Sequence, residues 1–152
     1  MSMGKLELKK KLIDECLDIQ HKIVENLQNV MDEAQQGANE YGQPKDRYDS
    51  YRAQLLNKRD LFGGQLEKAA NEIKVIKKID LSRTKEYVSF GAVIITKEQK
   101  LFVSISAGKI QIDDEIYFAI SPMAPIYQTI NKLTKGDTFV FRGKQDEIID
   151  VF

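Results

Sequence analysis

Asp46 and Asp49 come closest, by type and spacing, to a pair able to do chemistry in this 152-residue chain. Three positions apart at the start of a helical pattern, they put two carboxylates near one helix face, beside the positive end of its dipole. Hard oxygen donors in that arrangement suit a divalent cation. The same pair also fits ordinary capping and solvation of a helix start, where acidic residues are common for that reason alone. Glu40 is placed to add a third carboxylate from the preceding turn. Lys45, Arg47 and Arg52 lie among these acids and lower the local negative potential, so the isolated chain is a poor trap for a metal and a partner must complete the site. His21, the single histidine, falls beside an apolar seam and reads as a solvated side chain rather than a zinc ligand or a general base. The single Cys16 follows the apolar stripe and reads as core packing, with no disulfide possible within the chain.

The elements that must position these residues follow from hydrophobic periodicity. From Leu6 to Ala34 the apolar residues recur at helical spacing, with Leu6, Ile13, Leu27 and Ala34 interleaved by Leu17, Val24 and Met31. Lys10 sits at the start of this seam, Gln20 interrupts it, and Cys16, Ile23 and Val30 widen it beyond a strict two-position coiled coil. Gln35 to Pro44 holds two glycines, an asparagine and a proline, and predicts a turn. A second helical pattern covers Asp46 to Lys77, with Tyr48, Leu55, Phe62, Ala69 and Ile76 one heptad apart. Each helix alone leaves its apolar face wet, so antiparallel pairing across the short turn is the simplest way to bury both. Gly63-Gly64 inside the second helix predicts close helix contact or a bend.

After Asp80 the period changes to that of strands. Tyr87 to Thr96, Leu101 to Ser106 and Ile110 to Ile120 read as strand segments. Ser121-Pro122 predicts an N-cap with proline in the first turn of a short helix through Ile130. Thr138 to Arg142 and Glu147 to Val151 predict a closing hairpin around Gly143. The fold class expected is α+β: a helical hairpin over residues 1–80, then a small antiparallel β domain with one short helix over residues 81–152. Its core is expected to draw on Phe90, Val93, Ile95, Phe102, Ile116, Phe118, Ile126, Leu133 and Phe139.

Charge and composition narrow the function classes. The 23 basic residues equal the 23 acidic ones, so the chain lacks the excess of a protein that coats nucleic acid, and electrostatic recognition must be local. Lys68, Lys74, Lys77, Lys78 and Arg83 form such a local basic run, readable as a solvated face or as a surface for an acidic rim or RNA phosphates. The chain has no uninterrupted apolar run of membrane-spanning length, and a cytoplasmic monomer without membrane contact is expected.

The stretch Ile120-Ser121-Pro122-Met123-Ala124-Pro125-Ile126, followed by Lys135-Gly136-Asp137-Thr138-Phe139 and the closing Glu147-Ile148-Ile149, resembles the Gre transcript-cleavage factors. Val88-Ser89-Phe90-Gly91-Ala92 also resembles the strand by which that family enters its second domain. The resemblance implies an FK506-binding-protein-like C-terminal domain that docks on bacterial RNA polymerase at the rim of the secondary channel, while the coiled coil reaches down the channel. It implies docking through Ser121, Pro122 and Met123. It also implies tip carboxylates, here Asp46 and Asp49, that share Mg2+ with the polymerase while a backtracked RNA in the elongation complex is cleaved. On this reading the chain is not itself an enzyme. The family's tip reads Gly-Asp, two residues, then Glu-Asn-Ala-Glu-Tyr. Here Gln43 stands in place of the leading aspartate, Asp46 and Asp49 fall at the two glutamate positions, and Tyr51 lies one residue late. Glutamine brings no charge, so a non-cleaving channel regulator that competes with cleavage factors is the alternative. A prolyl isomerase is a further alternative from the implied fold alone, and it is opposed by the absence of tryptophan and by little aromatic clustering after Phe118. A self-associating structural coiled coil is another.

Overall fold

The computed structural model describes residues 4–40 and 49–152, with side chains placed outside 38–40, 49–52 and 55. The chain is α+β. It runs α1 (Lys5–Glu40), α2 (Asp49–Ile76), β1 (Val93–Thr96), β2 (Lys100–Val103), β3 (Gly108–Ile112), β4 (Glu115–Ile120), α3 (Pro125–Ile130), β5 (Thr138–Phe141) and β6 (Lys144–Val151). Contacts divide it into two compact units, Ile19–Lys74 on the one hand and Met1–Asp18 with Val75–Phe152 on the other. The boundary expected at residue 80 follows chain order, whereas by contact the first turns of α1 group with the sheet.

In the helical unit, α1 and α2 run antiparallel. The Cβ position of Gly63 lies 3.8 Å from the Met31 methyl carbon, and Arg59 donates a hydrogen bond to Gln35, so four steps forward on α1 match four steps back on α2. Gly63 lies at the helix contact, but a Cβ there would meet Met31 only at ordinary van der Waals distance, and nothing lies within 4 Å of Gly64's Cβ position, so the spacing does not require glycine at either position. α1 does not stop at the predicted turn from Gln35 but continues through Gly37 to Glu40. One glycine costs a helix about 1 kcal/mol, too little to end a helix that packs along its length. At about 1.5 Å per residue, α2 is a rod of about 42 Å.

The sheet has the strand order β3-β4-β2-β1-β6-β5 and is antiparallel except for the parallel pair β2·β4. The segment Ile110 to Ile120 is a hairpin rather than a single strand. Asp113 with φ 54° and Asp114 form its two-residue turn between the paired Ile112 and Glu115. The β5–β6 turn also has two residues, Arg142 (φ 52°) and Gly143 (φ 80°), both in the left-handed region.

Register sorts the side chains onto two faces. Ile94, Leu101 and Val151 share one face with Phe118 and Ile120, and there Val88, Ile130, Phe139 and Ile148 complete a buried core under α3. Val93, Phe102, Tyr117 and Ala119 share the opposite face with Ile110. The foot of α1 packs on this second face. Cys16 Sγ lies 4.0 Å from Ser104 Oγ, and Lys5 pairs with Asp150 at 3.1 Å while sitting over the Phe152 ring. The buried stripe of the foot is Lys9, Leu12, Ile13 and Cys16, while Leu6, expected in the seam, is exposed.

Ile116 and Phe118 correct the expected core list. Both are 40 % exposed, whereas Tyr117 and Ala119, which alternate with them, are buried. β4 alternates, and the face carrying Ile116 and Phe118 extends beyond the six residues of α3. Gly91 joins the two halves of this unit: its φ is +88°, its N–H bonds Val103 O at 2.8 Å, and a Cβ there would meet Ile79 at 3.3 Å.

Three substitutions test this packing by urea denaturation. Phe102→Ala is expected to cost about 3–5 kcal/mol, and Phe118→Ala less than about 1.5 kcal/mol. Gly91→Ala, forced into the left-handed region, is expected to destabilise by about 1–2 kcal/mol.

Candidate functional site

Asp46 lies outside the described residues. Asp49 opens α2, and its side chain lies outside them as well. Their donor chemistry fits Mg2+, since both are hard carboxylates, and two such groups leave most of an octahedral shell to be filled by a partner. Among the described residues, no group of three His, Cys, Asp or Glu side chains is arranged to hold a metal ion. His21 is exposed. Cys16 is fully buried, and burial pushes its thiol up to about 11 against the opposing hydrogen bond with Ser104, so it is a packing residue with little thiolate near neutral pH. Lys68, Lys74, Lys77, Lys78 and Arg83 are all exposed.

The Ser121-Pro122-Met123 segment forms the turn between β4 and α3. Ser121 O accepts the Ala124 N–H at 3.0 Å, and Ser121 Oγ accepts the Met123 N–H at 3.1 Å. These bonds make a turn of the residues expected to start the helix. The N-cap is instead Ala124, with Pro125 in the first helical turn. Gln128 reaches back from α3 and donates to Pro122 O at 2.9 Å, which ties the turn to the helix. With its backbone held in this way, Met123 projects its thioether into solvent at 85 % exposure. A flexible, polarisable side chain held out on a fixed turn is suited to contact with an apolar partner surface.

Beside this turn lies a groove of about 520 Å3, between the start of α3 and the part of the sheet face that α3 leaves uncovered. Leu101, Phe118, Ile120, Ile126, Phe139 and Phe141 supply its apolar lining. Arg142 stands over the Phe141 ring at 5.0 Å, and Lys144 joins it at the rim. Asp146 reaches the groove from β6, 8 % exposed, with Oδ1 accepting the Glu147 N–H at 2.8 Å. The groove gathers residues that sequence spacing kept apart. Phe118, Phe139 and Phe141 come from two strands some twenty residues apart, so the low aromatic density read along the chain after Phe118 did not foretell a shared aromatic wall. The one legible signal was the alternation of Phe139 and Phe141 on a single strand.

No protein-family model, curated protein or solved structure matches the chain. No helix among the described residues is long and apolar enough to cross a membrane.

An environment-sensitive dye that brightens on apolar surface is expected to bind the wild-type chain at the groove. Phe141→Ser should remove most of that signal and Val140→Ser, on the other face of the same strand, should leave it. Fluorescence titration of the two variants checks the assignment.

Proposed function

We propose that this chain is a secondary-channel factor of bacterial RNA polymerase, acting on elongation complexes whose RNA has backtracked. The observation that carries the reading is the antiparallel pairing of a 36-residue and a 28-residue helix, whose connecting segment and second-helix start hold Asp46 and Asp49. Paired helices resist bending far better than a loop of equal reach, so such a rod can carry a carboxylate pair at its connection to a distant site. Ser121, Pro122 and Met123, held by the turn bonds and by Gln128, offer an exposed apolar contact for the polymerase rim. A shared Mg2+ would stabilise charge on the phosphodiester, and Asp46 and Asp49 would act only as further oxygen ligands and as water-orienting groups. Gln43 removes one negative charge from that tip relative to the Gre pattern, so occupation of the channel without cleavage is the variant of the same reading.

The groove favours one second reading, a proline-peptide isomerase, because Phe118, Phe139 and Phe141 form an aromatic wall beside Asp146. A peptide isomerisation assay separates it: acceleration by wild type that is lost in Phe141→Ser would move the function to the groove.

The deciding measurement for the main reading is RNA release from a backtracked bacterial elongation complex, with wild type, Asp46→Ala, Asp49→Ala and, in a second set, a competing cleavage factor. We expect the chain to engage the complex and block the competitor. Mg2+-dependent cleavage abolished by either substitution assigns the chemistry to the acidic pair, competition without cleavage assigns a channel-occupying regulator, and neither effect overturns the polymerase reading.

A further inference from the structure

The foot of α1 packs on the sheet through a stripe in which one position carries an amine. Lys9 is fully buried in the stripe between Lys5 and the buried Leu12, Ile13 and Cys16, and its Nζ has no hydrogen-bond partner among the described residues. The carboxylates on the elements around it are engaged elsewhere. Asp80, on the segment after α2, accepts the Ser82 hydroxyl at 2.6 Å and the Ser82 N–H at 2.8 Å, with Arg83 at 3.7 Å. Asp150, on β6, is paired with Lys5, itself one turn before Lys9 on α1. Lys85 adds a second positive charge from the segment that leads into the sheet. Burial first, then the Lys85 charge, push the Lys9 amine down to about 8, with partial relief from Asp80. A buried amine with no partner is a costly occupant of a packed stripe that an apolar residue would fill without penalty.

We propose that the foot of α1, residues 5–18, is a proton-controlled latch on the sheet, loosened when Lys9 carries its proton and tightened when it loses it. This proposal is independent of the polymerase reading. In the undocked foot the amine regains its ordinary value of 10.5. Between that value and about 8, the undocked form binds a proton that the docked form does not, so docking weakens as pH falls through this window. Below about pH 8 the amine is charged in both forms and docking stays at its weakened level. At neutral pH the foot therefore sits on the loosened plateau, held by Leu12, Ile13, Cys16 and the Lys5–Asp150 pair against the charge of Lys9.

Cys16 is the single thiol of the chain and is sealed by the same contact, so its reaction with an aromatic disulfide reports undocking of the foot. The full-length wild type and Lys9→Met are compared at each pH, and their rate ratio cancels the intrinsic rise of thiolate with pH. The ratio of wild type to Lys9→Met is expected to be larger at pH 7 than at pH 9.5 by on the order of tenfold. A ratio that is the same at both pH values overturns the latch. Should Lys9→Met not fold, a carbon NMR titration of the Lys9 ε-methylene in wild type decides the matter: a midpoint near 8 supports the latch and a midpoint near 10.5 overturns it.

Discussion

A sheet with two apolar faces needs two covers, and the unequal size of the covers shapes the rest of the sheet unit. One face, carrying Val93, Phe102 and Tyr117, receives the first turns of α1, which is why those turns belong with the sheet and not with the helical unit. The other receives α3, only six residues long, and is left open where Ile116 and Phe118 extend past it. Burial of apolar area stabilises each contact by about 25 cal/mol per Å2, so the uncovered strip is surface that the fold leaves unused and a ligand or partner can use.

The helical unit meets a different constraint. Each helix alone would leave its apolar face wet, and their antiparallel contact supplies the stability that helix propensity does not. Gly63 belongs to that contact, its Cβ position lying at ordinary van der Waals distance from the Met31 methyl. The two units also treat polar groups differently. The sheet unit seals Lys9 and Cys16, whereas the described charges of the rod are mostly at its surface, as expected of a rod whose burial is a single stripe.

Local chemistry made much of the architecture readable in advance. The helical repeats, the change to strand patterning after Asp80, the short helix before Ile130 and the hairpin at Gly143 all follow from periodicity and turn residues. Where the reading failed, the cause was a choice between two locally equivalent options. Ser121-Pro122 and Ala124-Pro125 both offer proline to a first helical turn, Ser121 being the better cap by side chain, and the turn bonds of Ser121 decided for the second. Ile116 and Phe118 are as apolar as Tyr117 and Ala119, and only the parity of β4 against β2 told the buried pair from the open one. Of the candidate site, Asp46 and Asp49 were singled out by type and spacing and Ser121 by resemblance, whereas neither the turn that Ser121 builds nor the groove beside it was legible in the sequence.

What the sequence determined by itself was therefore the succession of two helical patterns and a strand-rich region, the α+β class, the burial of Cys16 and the place of two carboxylates at the start of the second helical pattern, because each depends on residues near one another in the chain. The tertiary structure alone decided the parallel β2·β4 pair, the sealing of Lys9 between α1 and the sheet, and the meeting of Phe118 with Phe139, Phe141 and Asp146 in one groove. Those features depend on which faces are brought together over long sequence separations, and a pattern of period 2 or 3.6 describes which face a residue occupies but not what the rest of the chain lays upon it.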